Sequence, residues 1–273
     1  MSVEITSINY CPVKSVSFQS IDKCKIKKNI GIIGDRIFAF AKDLDLEQAK
    51  LFEKSVDERK GKWNKVLTLK NSPALNKYNF IFNDEKLTLI LKDQEILTID
   101  INKLNEREAL SHKISELENS LNQPIFLMKN NEFPFFDTSI SKKVDFVNSV
   151  SLLNIQSIND FAKKINKKIE ASIFRGNICF DGVEPWKERE WIGKTIKINN
   201  VSFKVEKNIP RCVAINLKPQ SDDNSFNLLK ILKQTYNHFD MGIYLTPLED
   251  GEINLFDKIH INFKIQLQVD LEI

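Results

Sequence analysis

Apolar side chains recur at every second position over much of this chain, and the period changes to that of a helix in only a few places. Residues 3–10 alternate and stop at Cys11-Pro12, where proline ends a ladder and leaves Lys14 and Ser15 just past the strand. Ser20–Ile26 and Ile37–Ala41 read as further strands on either side of Gly31-Ile32-Ile33-Gly34-Asp35-Arg36, a glycine-bearing turn. Gln48–Gly61 suits a short amphipathic helix, after which strands return at Val66–Leu69, Tyr78–Phe82, Leu87–Leu91 and Ile96–Ile101. From Asn102 to Leu121, the residues Leu104, Leu110, Ile114, Leu117 and Leu121 fall at helical spacing and predict a core-facing stripe, which Asn122-Gln123-Pro124 ends.

Asn130–Asp137, with Pro134 and three phenylalanines, reads as an irregular connector between two halves. Val144–Leu153 predicts a strand, and Asn154-Ile155-Gln156-Ser157 leads into a helix over Ile158–Lys167 with Asn154 placed to cap it. Within Ser172–Asn216 the apolar residues Ile192, Ile196, Ile198, Val201, Phe203 and Val205 keep roughly period two, broken by the hairpin signal Asn199-Asn200. The strand through Cys212 is expected to reach Ile215. A helix follows on Phe226, Leu229, Leu232, Thr235 and Tyr236, then short strands at Gly242–Leu245 and Ile253–Phe256. From Ile259 to Ile273 every second residue is apolar, which predicts a long terminal strand with one buried face. The whole pattern is that of a mainly β protein with peripheral helices, of the α+β class.

Composition narrows this. The 273 residues permit one large or two modest domains, and 42% hydrophobic with 28% charged residues is the balance of a soluble globular protein. A formal net charge of +3, with lysines and carboxylates interspersed, argues against a nucleic-acid partner. The N-terminus lacks a basic segment followed by an apolar one, and no run approaches the about 18 apolar residues of a membrane span, so a cytoplasmic protein without membrane association is expected. The four cysteines form no CxxC pair and the three histidines are far apart, which disfavours zinc and fits reduced thiols. Dinucleotide, P-loop, serine-hydrolase, zincin and EF-hand patterns are absent from the sequence.

The candidate chemistry lies at the two ends of Ser172–Asn216. Phe174-Arg175-Gly176-Asn177 opens it and Pro210-Arg211-Cys212 closes it, and strands between them can bring both clusters together on adjacent strands. Arg175 is a permanently charged fork suited to phosphate or another oxyanion. Cys212 is either a packing residue or a soft thiolate suited to a transition metal or sulfur transfer, and neighbouring Arg211 favours the thiolate. His238 invites an acid–base role, but at a helix C-terminus a structural one is expected.

FRGNICFDGVEPWKEREWIGKTIKI followed by IPRCVAIN resembles the core of the MOSC domain, the module named after the C-terminal part of molybdenum cofactor sulfurase and also found in the mitochondrial amidoxime reducing component. The likeness continues through Pro219, Leu229, Leu232, Tyr236-Asn237-His238 and Met241–Tyr244 to Gly251-Glu252-Ile253 and Asp257. CPVKS and GIIGDRIFAFAKD are similar to the opening motifs of the β-barrel domain that commonly precedes it. The resemblance implies an N-terminal β-barrel-like domain over residues 1–128 and a MOSC β-barrel over 129–273. It implies molybdenum cofactor, with Lys14, Ser15 and Arg36 facing it, Asp35 holding Arg36, Arg175 on its phosphate, Asn177 on its pterin, Asn154 beside it and Cys212 as thiolate to molybdenum.

The implied activity is that of an oxidoreductase removing oxygen from an N-hydroxylated, N-oxide or related small molecule, with Cys212 at the reacting centre. A sulfur or cofactor carrier using Cys212 and a cofactor-free binding module are the alternatives. Where amidoxime-reducing members carry a Thr-Thr-x-Asp-Pro run after the cysteine, this chain has Ile215-Asn216-Leu217-Lys218-Pro219, so their substrate range does not transfer. No haem, flavin or iron–sulfur pattern is present in the sequence, so a reductase of this kind draws its electrons from a separate donor protein.

Overall fold

Alternating side chains make strands in this molecule, and their pairing draws both halves of the chain into shared sheets. The computed structural model describes residues 2–59, 61–118, 121, 124–136 and 150–262. In chain order the strands and helices are β1 (Glu4–Tyr10), β2 (Gln19–Ile21), β3 (Lys23–Lys27), β4 (Gly31–Ile32), β5 (Phe38–Lys42), α1 (Leu46–Lys54) and α2 (Val56–Arg59). They continue with β6 (Tyr78–Asn83), β7 (Lys86–Leu91), β8 (Gln94–Asp100), α3 (Leu104–Leu117), β9 (Ile125–Lys129), β10 (Val150–Asn154), α4 (Ile155–Lys164) and β11 (Ile178–Asp181). The last group is β12 (Thr195–Ile198), β13 (Val201–Pro210), α5 (Leu228–Tyr236), β14 (Asp240–Pro247), β15 (Gly251–Asn254) and β16 (Ile259–Asn262).

The main sheet has eight strands in the order β16-β12-β13-β14-β10-β11-β1-β2. β1, from the start of the chain, lies antiparallel to β11, with Ile8 opposite Ile178. β10 and β11 are parallel, with Leu152 opposite Ile178, and the connection between them carries α4 as a parallel crossover requires. Smaller sheets pair β15-β3-β4, β5-β9 and β6-β7-β8.

The barrel expected for each half does not close. One edge of β1 is divided: Ile8–Tyr10 pair with β2, while Glu4 meets Lys258 at a single antiparallel bridge. Three backbone bonds support that bridge, from Ile5 N–H to the Asp257 carbonyl at 3.0 Å, from Phe256 N–H to the Ile5 carbonyl at 3.1 Å and from Ile259 N–H to the Val3 carbonyl at 2.8 Å. A strand edge shared in this way has no room for a continuous ladder, so the described residues form a strand-rich α+β fold of open sheets.

Side chains from the inner face of the main sheet, among them Ile5, Ile8, Phe180, Phe203 and Ile243, form one core together with Trp191 from the 3₁₀ turn Lys187–Trp191. A second core joins Cys11, Val13, Val16 and Phe38 to Tyr78, Phe80 and the α3 stripe at Leu110 and Ile114. A third lies between the sheet and α4 and α5, around Phe161, Phe174 and Leu232.

Local chemistry moves several predicted boundaries. The helix expected over Gln48–Gly61 is two helices: Asp45 and Gln48 form a reciprocal capping box at the start of α1, and Ser55, with extended backbone, separates it from α2. Val66 makes only an isolated bridge with Ala41. The strand expected to run from Cys212 to Ile215 is a 3₁₀ turn over Val213–Asn216, beginning directly after Cys212. Of the long terminal strand, Ile259–Asn262 is seen and residues 263–273 lie outside the described residues, as do 144–149 of the strand expected before β10. No helix among the described residues is long and apolar enough to cross a membrane.

Beyond α5 the chain turns through Asn237 in the left-handed conformation and sets His238 against Tyr236 and Trp186, with ring centroids 5.7 and 5.5 Å away. The backbone N–H of Asp240 donates to His238 Nδ1 at 3.1 Å, and Arg189 Nη1 stands 3.3 Å from Nε2. A second ring proton therefore has a donor facing it at one nitrogen and a cation at the other. Burial, then Arg189 and Lys233, hold the imidazole below its ordinary range, with Asp240 pulling the other way. The expected consequence is a stability that is level above pH of about 6.5 and falls below it, because the unfolded chain takes up the proton first. Urea melts across that range check it. His238→Asn, which keeps an acceptor near the Nδ1 position, is expected to flatten the profile.

Candidate functional site

The N-terminal members of the predicted site sit on turns whose backbones are left-handed. Ser15, Arg36 and Arg175 have φ of 70°, 53° and 51°, a conformation uncommon outside glycine, asparagine and aspartate. Arg36 follows β4 and its N–H donates to the Cys11 carbonyl at 2.7 Å. Arg175 ends the 3₁₀ turn Ala171–Phe174, two residues before Asn177 opens onto β11. Arg175 and Cys212 are thus not on adjacent strands, since β14 and β10 lie between β11 and β13. They meet at the end of the sheet instead.

One ring marks the meeting point. The guanidinium carbons of Arg36 and Arg175 both lie 5.0 Å from the centroid of Phe18. Phe136 stands over Arg36 at 5.9 Å. Arg175 donates from Nη2 to the Val16 carbonyl at 2.7 Å and from Nη1 to Asn76 Oδ1 at 3.3 Å. Burial lowers its pKa and the charge of Arg36 adds to the effect, whereas Cys11, Cys212 and Asp35 act in the opposite direction. Cys212 is therefore within electrostatic reach of Arg175. Lys14 closes the group, its ammonium donating to the Phe136 carbonyl and lying 5.3 Å from the Trp63 ring. Ser15 is buried in the same turn.

Cys212 is exposed, while Cys11, Cys24 and Cys179 are buried. Burial pushes the Cys11 thiol up to about 11 despite the pull of Arg175 and Arg36, and pushes Cys24 up to about 12. These two are inert packing thiols. The packing alternative for Cys212 loses its basis.

Asp35 organises the interior side of the cluster. It is fully buried and accepts from the Cys11 N–H at 2.8 Å, from Asn177 Nδ2 at 3.1 Å and from the Arg36 guanidinium. Burial raises its pKa, and Arg36 and the two N–H donors hold the rise in check. The pairing of Asp35 with Arg36 is as the sequence suggests. Cys11, Asn76, Phe18 and Trp63 were not singled out; a lone aromatic or amide in a turn carries no signal until its neighbours are known.

Three other predicted residues face elsewhere. The Asn177 amide is saturated: Oδ1 accepts from Ser151 N–H at 3.2 Å and Ser151 Oγ at 2.9 Å, while Nδ2 serves Asp35 and the Asn9 carbonyl. It has no bond left for a pterin. Arg211 donates to the carbonyls of Met241 and of Phe174, the latter at 2.7 Å, and so clips the Cys212 turn to β14 and to the Arg175 turn. Gly242 lets β10 and β14 pack closely beside this clip, because at φ +80° a Cβ there would lie 2.6 Å from the Leu152 carbonyl oxygen. Asn154 caps α4 by accepting from Gln156 N–H at 3.0 Å, and its amide donates to buried Glu188 at 2.9 Å. That network is separate from the cation cluster.

Asn177→Asp would set a second buried carboxylate against Asp35. The pair's pKa in the folded state then rises well above the unfolded value of about 3.9, so the variant matches wild type most closely below pH 4 and loses stability as pH rises. A deficit of about 3 kcal/mol near pH 8 is expected from denaturant melts. A deficit independent of pH would place Asn177 and Asp35 in unconnected environments.

Residues 143–260 match the MOSC domain. No curated protein matches the sequence. Among solved structures, the YuaD protein from Bacillus subtilis is similar at 10% identity over 95% of this chain and 94% of that one, with a TM-score of 0.43. YiiM from Geobacillus stearothermophilus, at 15% identity, is covered over 54% of its length by 42% of this chain, with a TM-score of 0.34. YiiM from Escherichia coli, at 10% identity, is covered over 56% by 43%, also at 0.34. Arg175, Asn177, Arg211 and Cys212 all fall inside the matched stretch, so the half of the chain that carries them is similar to the MOSC domain.

Proposed function

We propose that this protein binds molybdenum cofactor at the Lys14–Arg36–Arg175–Cys212 cluster and acts as an oxidoreductase on N-oxygenated or related small molecules. The observation that carries the reading is the approach of two guanidinium groups to one ring, each 5.0 Å from Phe18, beside the exposed thiol of Cys212.

The donor set suits the group. Arg36 and Arg175 bring guanidinium groups whose N–H donors match phosphate oxygens, and Lys14 stands next to them. Cys212 adds a soft donor for the metal. Among the described residues no three His, Cys, Asp or Glu side chains converge to hold a metal ion, so at Cys212 the protein supplies one ligand and the cofactor the others. Asn177, Asn154 and Arg211 fall outside this set, being committed to protein contacts.

When bound, the cofactor supplies two-electron redox chemistry for removing oxygen from the substrate. The chain's own residues hold and orient it. Asp35 keeps the Arg36 fork aimed, the Val16 carbonyl and Asn76 do the same for Arg175, and Phe18, Phe136 and Trp63 exclude water around the cations, which strengthens each charge interaction. Residues 1–128 contribute Lys14 and Arg36 and residues 129–273 contribute Arg175 and Cys212, so the site needs both parts. Electrons come from a separate donor protein. The exposure of Cys212 also supports a second reading, in which the thiol carries sulfur as a persulfide for another enzyme.

Molybdenum and pterin content decides between them, measured for wild type and Cys212→Ala expressed in a host that makes the cofactor. Near-stoichiometric metal and pterin in wild type, with metal reduced at least tenfold in the variant, is expected. Cys212→Ala should stay within about 0.5 kcal/mol of wild-type stability, as an exposed side chain does. Neither metal nor pterin in wild type, with a persulfide on Cys212 by mass spectrometry, would overturn the cofactor reading in favour of sulfur carriage.

A further inference from the structure

Arg175 and Cys212 approach each other from opposite ends of one long stretch, and the side chain that reaches both ends belongs to neither. Asn76 lies in the 3₁₀ turn Pro73–Lys77 and is 4% exposed. Its Oδ1 accepts from Arg175 Nη1 at 3.3 Å, and its Nδ2 donates to the carbonyls of Lys218 and Ser221, both at 2.7 Å. Its own carbonyl accepts from Ser17 Oγ at 2.8 Å. These partners leave the amide one orientation. A guanidinium only donates and a carbonyl only accepts, so turning the group over would face donor to donor on one side and acceptor to acceptor on the other.

We propose that Asn76 is a positioning residue for the anion site formed by Arg175 and Cys212; the proposal rests on the cofactor-binding reading above. With the Val16 carbonyl holding Nη2 and Asn76 holding Nη1, the plane of the Arg175 fork is set by two bonds. The same amide anchors the turn over residues 218–221, where Ser221 N–H donates to the Lys218 carbonyl at 3.2 Å. That turn follows the Val213–Asn216 turn, which begins directly after Cys212. Arg211, just before Cys212, is tied to the Arg175 turn, and Asn76 ties Arg175 to the turn over residues 218–221 beyond it, so both flanks of the Cys212 segment are fixed relative to the guanidinium, one of them by a residue from the N-terminal half of the chain.

The chemistry of the position is specific. Asp at 76 keeps the shape and the bond to Arg175, but it sets a carboxylate oxygen against two carbonyls and cancels the charge that an anion needs. Ala leaves both carbonyls unpaired and lets the guanidinium swing.

Cys212 supplies the readout, since it is exposed and the other three thiols are buried. Its reaction rate is measured with a dianionic aromatic disulfide and with a neutral one of similar size, and the ratio of the two rates reports the positive field at the sulfur. Arg175→Gln is expected to lower the ratio about fivefold, the effect of one charge at close range. Asn76→Ala, which changes no charge, should lower it about twofold, and Asn76→Asp about fivefold or more. Should Asn76→Ala fail to fold, Asn76→Ser takes its place. A ratio that falls in Arg175→Gln but stays at the wild-type value in folded Asn76→Ala or Asn76→Ser overturns the positioning role and leaves the anion site standing. A ratio unchanged in Arg175→Gln removes the anion site itself, and the role of Asn76 with it.

Discussion

Asp35 has no access to water, so every bond its carboxylate needs must come from the protein. The donors arrive from three places: the backbone at the end of β1, the amide that precedes β11, and the guanidinium of the next residue in the chain. Meeting that demand ties the first strand to the middle of the main sheet and holds Arg36 at its left-handed position. The arrangement has a direct electrostatic result. One cation of the cluster, Arg36, is neutralised from the inside, while Arg175 is held by the Val16 carbonyl and the Asn76 amide, neither of which cancels its charge. Remove the carboxylate and the two arginines around Phe18 repel without a counterweight.

Not every charged or amide side chain in the motifs that resemble the MOSC domain serves a ligand. Arg211 and Asn177 are spent on carbonyls, hydroxyls and Asp35, and Asn154 on a helix cap and a buried glutamate. Their work is to place backbone. Arg211 ties β14 and the Arg175 turn to the residue before Cys212, and Asn177 joins Ser151 of β10 to Asn9 of β1. A saturated amide is a better girder than a ligand because each of its four bonds has one direction only.

The open main sheet follows from the same economy of edges. β2 takes half of the β1 edge and the Lys258 bridge takes the other end, so the curved sheet approaches itself without a continuous ladder. That geometry lets residues from the first forty positions enter a site whose other half lies beyond position 170, which is how Lys14 and Arg36 reach Arg175.

Much of this was legible beforehand. Alternation placed β1, β6, β7 and β8 within a residue or two, because a strand with one buried face must alternate. Asn199-Asn200 marked its hairpin, and Asn154 its helix start, because those side chains fit left-handed or capping backbone. The motif around Arg175 and Cys212 pointed to the MOSC domain that residues 143–260 match. Other features depended on partners far away in sequence. Whether Asn177 faces a ligand or saturates itself is decided by Ser151 and Asn9; whether the segment after Cys212 extends or coils is decided by the Arg211 clip and the turn on Asn76. The sequence by itself determined which residues can be strands and which can carry charge or a soft thiolate. Only the tertiary structure decided which of those groups remain available, because a hydrogen bond made across more than a hundred residues leaves no periodic trace in the chain.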